Sequence, residues 1–342
     1  MLDDLKMIHE RDADDALGVV DTQWKQLQHK FDVELSGFEG VQNIVLAGMG
    51  GSAIPGVFLR VWPGTKVPFE VVRDYDLPEY VGPNTLFVSS SHSGNTEETL
   101  EGLRKAEEKG AKIIVTASGG KLAQLAKDKN YPLYEIPGGI QPRMCTLYFI
   151  AALVQAFEQL GLIDAGSSQE LHEAAEWLNG QADSWKAEIP TDKNAAKQLA
   201  QELIGKSVVV YSGPKLFPAA NKFKICLNEN AKNVAWANQY PELNHNEFIG
   251  WTSHPVQKPY AVVEIRSSLE HPRVQKRFEV TERLLSGKRP APLVITPQGD
   301  TVLKQILWAS TFADFVSLYV ALLNGLNPTP VALVEKLKQE LG

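Results

Sequence analysis

Between residues 40 and 140, short runs of apolar and β-branched residues alternate with stretches in which apolar positions recur every three or four residues. The runs are NIVLAG, PFEVVRDY, LFVSSS, AKIIVTAS and PLYEIP. Continuous apolar runs of this length suit strands buried on both faces, and the amphipathic stretches between them suit helical crossovers, so the pattern predicts a parallel sheet covered on each side by helices. A helical stretch precedes it, up to about Phe31, and residues 164–191 turn Ser-, Glu- and Ala-rich in the manner of a helical connector. A second alternation follows, with SVVVYSG near residue 207, a helix through NKFKICLNENAK, and then NVAWANQ, YAVVEIRS and PLVITP. The expected architecture is α/β, with two doubly wound, flavodoxin-like units in one chain: residues 1–162, a connector 163–194, and residues 195–342.

Doubly wound sheets bind ligands beyond the carboxyl ends of their strands, and two polar loops fall there in the first half. In LAGMGGSAIPG a strand meets Gly48, Gly50, Gly51 and Ser52 and then a helix, a combination that brings backbone N–H groups and a helix N-terminus to an anion. The spacing Gly48-x-Gly50-x-x-Ala53 also fits a dinucleotide fingerprint, with Asp74 and Asp76 downstream. In SHSGNTEET the hydroxyls of Ser91, Ser93 and Thr96, with the first amides of the next helix, can satisfy the terminal oxygens of one phosphate without a lysine. The plainer alternative is that these residues cap the helix. A monophosphate matches this loop better than a pyrophosphate. The second half has SGPKL where the first has AGMGGS, and no counterpart of SHSGNTEET, so the anion site is expected in the first unit alone.

With 342 residues, 44% hydrophobic and 22% charged, the chain has the composition of a globular protein of two domains. A net charge of −7 argues against nucleic acid as a partner. Cys145 and Cys226 lack CxxC spacing, so neither a disulfide framework nor a cysteine metal site is expected. The acidic opening MLDDLKMIHERDADD is unlike a targeting peptide, and the sequence suggests no uncharged apolar window of membrane-spanning length. These features point to a cytoplasmic protein with no membrane partner.

The pattern S-x-S-G-N-T-E-E-T downstream of GGS resembles the sugar isomerase (SIS) fold. RDYDLPEYV, GGIQPR, NHNE and the C-terminal NPTP extend the resemblance over nearly the whole chain, to the bifunctional phosphoglucose/phosphomannose isomerase family. The resemblance implies hexose 6-phosphate substrates and interconversion of an aldose and a ketose phosphate. The ring opens, a proton moves between C1 and C2, and a cis-enediol(ate) carries the charge between, a course that requires no cofactor and no metal.

Glu247, in ELNHNEFIGW, is the carboxylate singled out. The amides around it can orient it, and Phe248, Ile249 and Trp251 are expected to give the apolar cover that raises a carboxylate toward a useful base; the alternative is an ordinary ion pair with a lysine. By resemblance it is the family's proposed base. Arg143 follows a Gly- and Pro-fixed segment and opens an apolar helix, which leaves a guanidinium at the sheet edge, where it can serve an enediolate or answer Glu135. By resemblance it is the charge-stabilising arginine.

Among the histidines, His9, His29 and His172 read as solvated. His92 can face either way, His245 can orient Glu247, and His254 has no motif support. His271 precedes Pro272 and matches the family's HPR-type segment, which implies a ring-opening role, reached from the partner subunit of a homodimer with a shared active site. In TPVALVEKLKQELG, Val331, Val334, Leu337 and Leu341 form one apolar stripe. Lys338 lies on its margin and Lys336 nearly opposite, so Lys338 is preferred as the family's C-terminal lysine over the alternative of a snorkelling surface residue. Thr329 resembles a position linked to acceptance of the mannose epimer. Two other readings are kept: a non-catalytic SIS protein that senses a sugar phosphate, which needs only the serine loop, and a nicotinamide-dependent oxidoreductase built on the GxGxxA match.

Overall fold

A computed structural model describes residues 1–253 and 259–341. His254 lies outside the described residues. The chain forms two compact units, one of Gln23–Trp177 and one of Met1–Thr22 together with Leu178–Gly342.

The unit Gln23–Trp177 is built on five parallel strands: β1 (Asn43–Ala47), β2 (Phe69–Val72), β3 (Thr85–Ser91), β4 (Lys112–Ala117) and β5 (Leu133–Glu135), in the order β2-β1-β3-β4-β5. All five predicted strands form. β3 is central and buried along its whole length, which is why LFVSSS reads as a continuous run rather than an alternation. Helix Glu97–Glu108 buries Thr99, Gly102, Leu103 and Ala106, which fall on one face, and Leu103 and Ala106 join Val45, Phe87 and Val115 in one core. Each large apolar side chain buried in this way contributes roughly 1.5–3 kcal/mol. Helix Thr146–Gln159 is apolar on nearly every face and packs against helix Ile54–Leu59 and the short 3-10 helix Gln23–Gln28. Gln26 Nε2 donates to the Met144 carbonyl at 2.7 Å, which ties the start of the unit to the segment that carries Arg143.

The second unit carries four parallel strands: β6 (Ser207–Ser212), β7 (Ala235–Gln239), β8 (Tyr260–Ile265) and β9 (Leu293–Ile295), in the order β7-β6-β8-β9. This is the winding of the first sheet without its fifth strand. Helix Val302–Leu323 packs against helices Ala195–Leu203 and Phe217–Glu229. Its 22 residues are long and apolar enough to cross a membrane, contrary to the expectation that no such window exists, but 89% of the window is buried inside the protein. It is a core helix, and mid-helix Asp314 accepts from Lys222 Nζ at 2.6 Å and from Cys226 Sγ at 3.1 Å.

The first 22 residues belong to this later unit and not to the strands that directly follow them. Helices Leu5–Arg11 and Ala16–Thr22 are joined at Asp12, whose carboxylate accepts from the amides of Ala16 and Leu17 at 2.9 Å each. Arg11 Nη1 donates to the Leu322 carbonyl, and Lys197 Nζ lies 3.3 Å from Asp3. An amphipathic helix records that it needs a core, not which one, and so the sequence grouped these residues with 1–162.

Candidate active site

In the first unit three loops at the carboxyl ends of β1, β3 and β5 come together. Gly51 has no room for a side chain, because a Cβ there would lie 3.0 Å from the Arg143 amide and the Pro142 carbonyl. Gly48 is equally confined, its Cβ position being 2.9 Å from the Ser90 carbonyl. The glycines of GMGGS thus permit close approach of one loop to another as well as exposure of backbone. The 3-10 turn Gly50–Ala53 then leads into helix Ile54–Leu59.

Hydrogen bonds fix the serine loop. The His92 amide donates to Ser52 Oγ at 3.0 Å, and Ser90 Oγ donates to the Ser52 carbonyl at 3.0 Å. Gly94 N–H donates to Ser91 Oγ at 3.1 Å, and Ser91 Oγ is 2.7 Å from Thr96 Oγ1. Gly94 takes φ +66 with the Gly119 carbonyl directly against it, so only glycine turns the chain here. Thr96 is the residue before helix Glu97–Glu108, yet its side chain caps no amide of that helix. Capping is therefore not what Thr96 does: when Ser91 donates to Thr96 Oγ1, the Thr96 hydroxyl proton is free for a ligand. Ser91 and Ser52 are buried and shape the loop, whereas Ser93 is exposed.

Arg143 sits in the 3-10 turn Pro142–Met144, 1% exposed, with Nη1 3.4 Å from Gln141 Oε1. Glu135, the alternative partner, lies 3.9 Å from Lys127. His92 is half-buried with Nε2 3.2 Å from Cys145 Sγ. Burial lowers the imidazole from its ordinary value and pushes the Cys145 thiol up to about 12, so both groups are neutral at physiological pH. Two histidines expected in solvent are half-buried. His29 packs edge-on to Phe31 and Tyr148, and His172 Nδ1 is 3.2 Å from the Ser168 carbonyl.

In the second unit Glu247 opens the short helix Glu247–Gly250, just beyond the carboxyl ends of β6 and β7. The apolar cover expected over it is not formed within the unit: Glu247 is exposed and Ile249 is 68% exposed. Its partners are neutral donors, the Tyr211 hydroxyl at 2.7 Å and Asn238 Nδ2 at 2.5 Å. Neither was identified from sequence, because each reads as an ordinary strand residue 36 or 9 positions away. A groove of about 270 Å³ beside this segment is lined by Asn244, Phe248, Arg273, Lys276, Arg277 and Leu284, among others.

His271 is the N-cap of helix Pro272–Leu284, its Nδ1 accepting from the Arg273 amide at 3.1 Å. This leaves Nε2 as the outward nitrogen. The preceding Glu270 is buried, and its carboxylate accepts from the Lys215 amide at 2.8 Å, at the turn Pro214–Leu216 that follows β6. Gly213 admits this carboxylate, since a Cβ there would collide with it. The position that corresponds to the glycine loop of the first sheet is thus filled by one of the protein's own carboxyl groups.

Thr329 lies in the NPTP turn, its amide donating to Asn327 Oδ1 at 3.0 Å, and Lys232 Nζ holds the turn through the Pro328 carbonyl at 2.9 Å. The stripe of the final helix Ala332–Leu341 is not buried as expected: Val334, Leu337 and Leu341 are 45%, 58% and 69% exposed. Lys338 lies 3.0 Å from Glu335 and Lys336 lies 3.7 Å from Glu340. Burial therefore does not separate the two lysines.

Four similarities bear on this arrangement. A family model described as the bacterial phospho-glucose isomerase C-terminal SIS domain matches residues 192–341. A bifunctional phosphoglucose/phosphomannose isomerase of Caldicellulosiruptor bescii is 38% identical over 309 residues, 89% of this chain and 90% of the relative. A D-glucosamine-6-phosphate 4-epimerase of Sulfolobus acidocaldarius is 29% identical over 93% of this chain and 95% of its own length. The crystal structure of a glucose-6-phosphate isomerase like protein from Thermus thermophilus superposes with a TM-score of 0.68 over 97% of this chain and 99% of that one, at 17% identity. The last of these bears on the fold alone, and it matches the two parallel α/β sheets described above. With GGS, SxSGNT, GGIQPR and NHNE in place along the two units, the chain belongs to the bifunctional phosphoglucose/phosphomannose isomerase family.

Proposed function

We propose that the protein is an aldose–ketose isomerase that interconverts glucose 6-phosphate, and mannose 6-phosphate, with fructose 6-phosphate. The observation that carries the reading is the Glu247 carboxylate, presented on the carboxyl-end edge of the second sheet and held by two neutral donors, in a chain of this family. In the open-chain aldose the C2 hydrogen is acidic because it lies next to the carbonyl. Glu247 removes it, the electron pair moves into the enediolate, a proton passes from the C2 hydroxyl to the C1 oxygen, and the same carboxyl returns its proton to C1, which leaves the carbonyl at C2. A positioned acid/base group of this kind supplies about 10²–10⁴ in rate. Arg143 offsets the enediolate charge, which a guanidinium does without a proton to lose.

His271 and Lys338 open the ring, one taking and the other giving a proton at the ring oxygen and the C1 hydroxyl. Gly51, Ser52, Ser93 and Thr96 bind the phosphate, with Ser91 orienting the Thr96 hydroxyl, and Thr329 accommodates the mannose epimer. The reading further assigns the protein to the cytoplasm as a homodimer in which the partner subunit completes a shared active site. Support for the phosphate role comes from the uncapped start of helix Glu97–Glu108 beside exposed Ser93.

The test supplies glucose 6-phosphate and mannose 6-phosphate separately, with a metal chelator present. Fructose 6-phosphate is expected from both. If neither sugar is consumed while fructose 6-phosphate still raises Tm, the protein is a sensor and not an isomerase. The epimerase relative motivates a second arm: glucosamine 6-phosphate followed by proton NMR at C4, where inversion would reassign the chemistry.

A further inference from the structure

Tyr211 of β6 and Asn238 of β7 are register partners in the second sheet, and both donate to one carboxylate. The Tyr211 hydroxyl meets Glu247 Oε2 at 2.7 Å, and Asn238 Nδ2 meets Oε1 at 2.5 Å. Tyr211 is itself held, for it is 1% exposed and its oxygen accepts from Trp251 Nε1 at 3.2 Å. A chain of donors thus runs from Trp251 through Tyr211 to Glu247, and a second donor closes on the other oxygen.

We infer that Tyr211 and Asn238 are positioning residues for the reaction, clamping the Glu247 carboxylate in one plane from adjacent strands. The inference rests on the reading of Glu247 as proton carrier. With one donor on each oxygen, rotation of the carboxylate is blocked, and each oxygen keeps a lone pair for the substrate proton. Orientation of this kind matters because a reacting group misplaced by about 1 Å can lose on the order of 10² in rate. Burial and the adjacent Glu247 raise the Tyr211 phenol from its ordinary value, so it remains a donor across the working pH range.

The charged groups around the pair are accounted for. The Arg289 guanidinium lies over the Tyr211 ring at 5.8 Å and is bound to Glu264 at 2.6 Å. Glu264 also takes the Tyr240 hydroxyl at 3.1 Å and Arg266 Nη2 at 2.6 Å. On the loop before Glu247, Glu242 takes Asn246 Nδ2 at 2.6 Å and His245 is exposed. None of these contacts uses the Tyr211 hydroxyl or the Asn238 side-chain amide.

The experiment measures kcat and KM separately for the full-length parent, Tyr211→Phe, Asn238→Ala and Glu247→Gln. A carboxylate free to rotate loses rate in the chemical step and not affinity for the sugar, so the loss falls on kcat. Tyr211→Phe is expected to lower kcat by about tenfold or more with KM within about twofold of the parent. Asn238→Ala changes a half-exposed position and is expected to act in the same direction, so it decides the matter if Tyr211→Phe unfolds. A kcat within about threefold of the parent in the folded variants, with Glu247→Gln inactive, overturns the clamp and leaves the role of Glu247 standing. Turnover retained by Glu247→Gln within about tenfold overturns the reading of Glu247 itself.

Discussion

The backbone amide of His92 donates to Ser52 Oγ at 3.0 Å, so the loop after β1 and the loop after β3 are fastened to each other at the serine of GGS. Ser52→Ala removes that acceptor and leaves a part-buried N–H without it, at a cost of about 1 kcal/mol. The loosened cradle is expected to raise KM for fructose 6-phosphate about tenfold while kcat changes by less than about threefold. Ser93→Ala, on the exposed side of the same loop, is expected to shift KM in the same direction by a smaller factor. Steady-state kinetics of the two variants check both.

Gly94 turns the serine loop with φ +66, and the Gly119 carbonyl occupies the place a side chain would take. Gly94→Ala is expected to cost at least about 2 kcal/mol of stability and to abolish tight phosphate-sugar binding, since the loop has to move to admit one methyl group. Urea unfolding measures the first effect. The second appears as loss of the Tm increase that the parent shows with fructose 6-phosphate.

The inner strands of both sheets were legible because each is a short apolar run between turn signals and is buried on both faces, whereas the edge strands β2 and β7 are only partly buried. The loops were legible in composition but not in role: three hydroxyls read as equivalent, while in the folded unit Ser91 bonds to Thr96 and Gly94, and Ser93 is exposed. Glu247 was legible from its motif, but its setting was not, for its donors come from strand positions that only the winding of β6 beside β7 brings near it. Amphipathicity likewise misled at the final helix. A stripe of Val334, Leu337 and Leu341 states that a face is apolar, not that its own unit covers it.

Lys222 and Asp314 are each 2% exposed and lie 2.6 Å apart on the core helices Phe217–Glu229 and Val302–Leu323. Removing one partner leaves a buried charge behind. Asp314→Ala is expected to destabilise the second unit by about 3–5 kcal/mol, whereas Lys222→Met combined with Asp314→Leu is expected to recover most of that loss. Denaturant titrations of the single and double variants read the difference.

Glu270 is buried, and burial outweighs its two backbone hydrogen bonds to raise it above its ordinary value of 4.5. Between that value and the raised one, the folded chain binds more protons than the unfolded chain. This carboxyl's contribution to stability is therefore greatest below 4.5 and falls as pH rises through the window. Glu270→Gln removes the titration, so the stability of the variant relative to the parent is expected to increase from about pH 4 to about pH 7. Thermal unfolding across that range checks the slope.

Turnover of fructose 6-phosphate in deuterated water, followed by proton NMR at C2 of the glucose 6-phosphate formed, tests the proton-carrying role of Glu247 most directly. The parent is expected to incorporate deuterium at C2, and Glu247→Gln to lose turnover by about 10³-fold or more with no incorporation above the uncatalysed rate. A folded Glu247→Gln protein that turns over within about tenfold of the parent, and still labels C2, would contradict it.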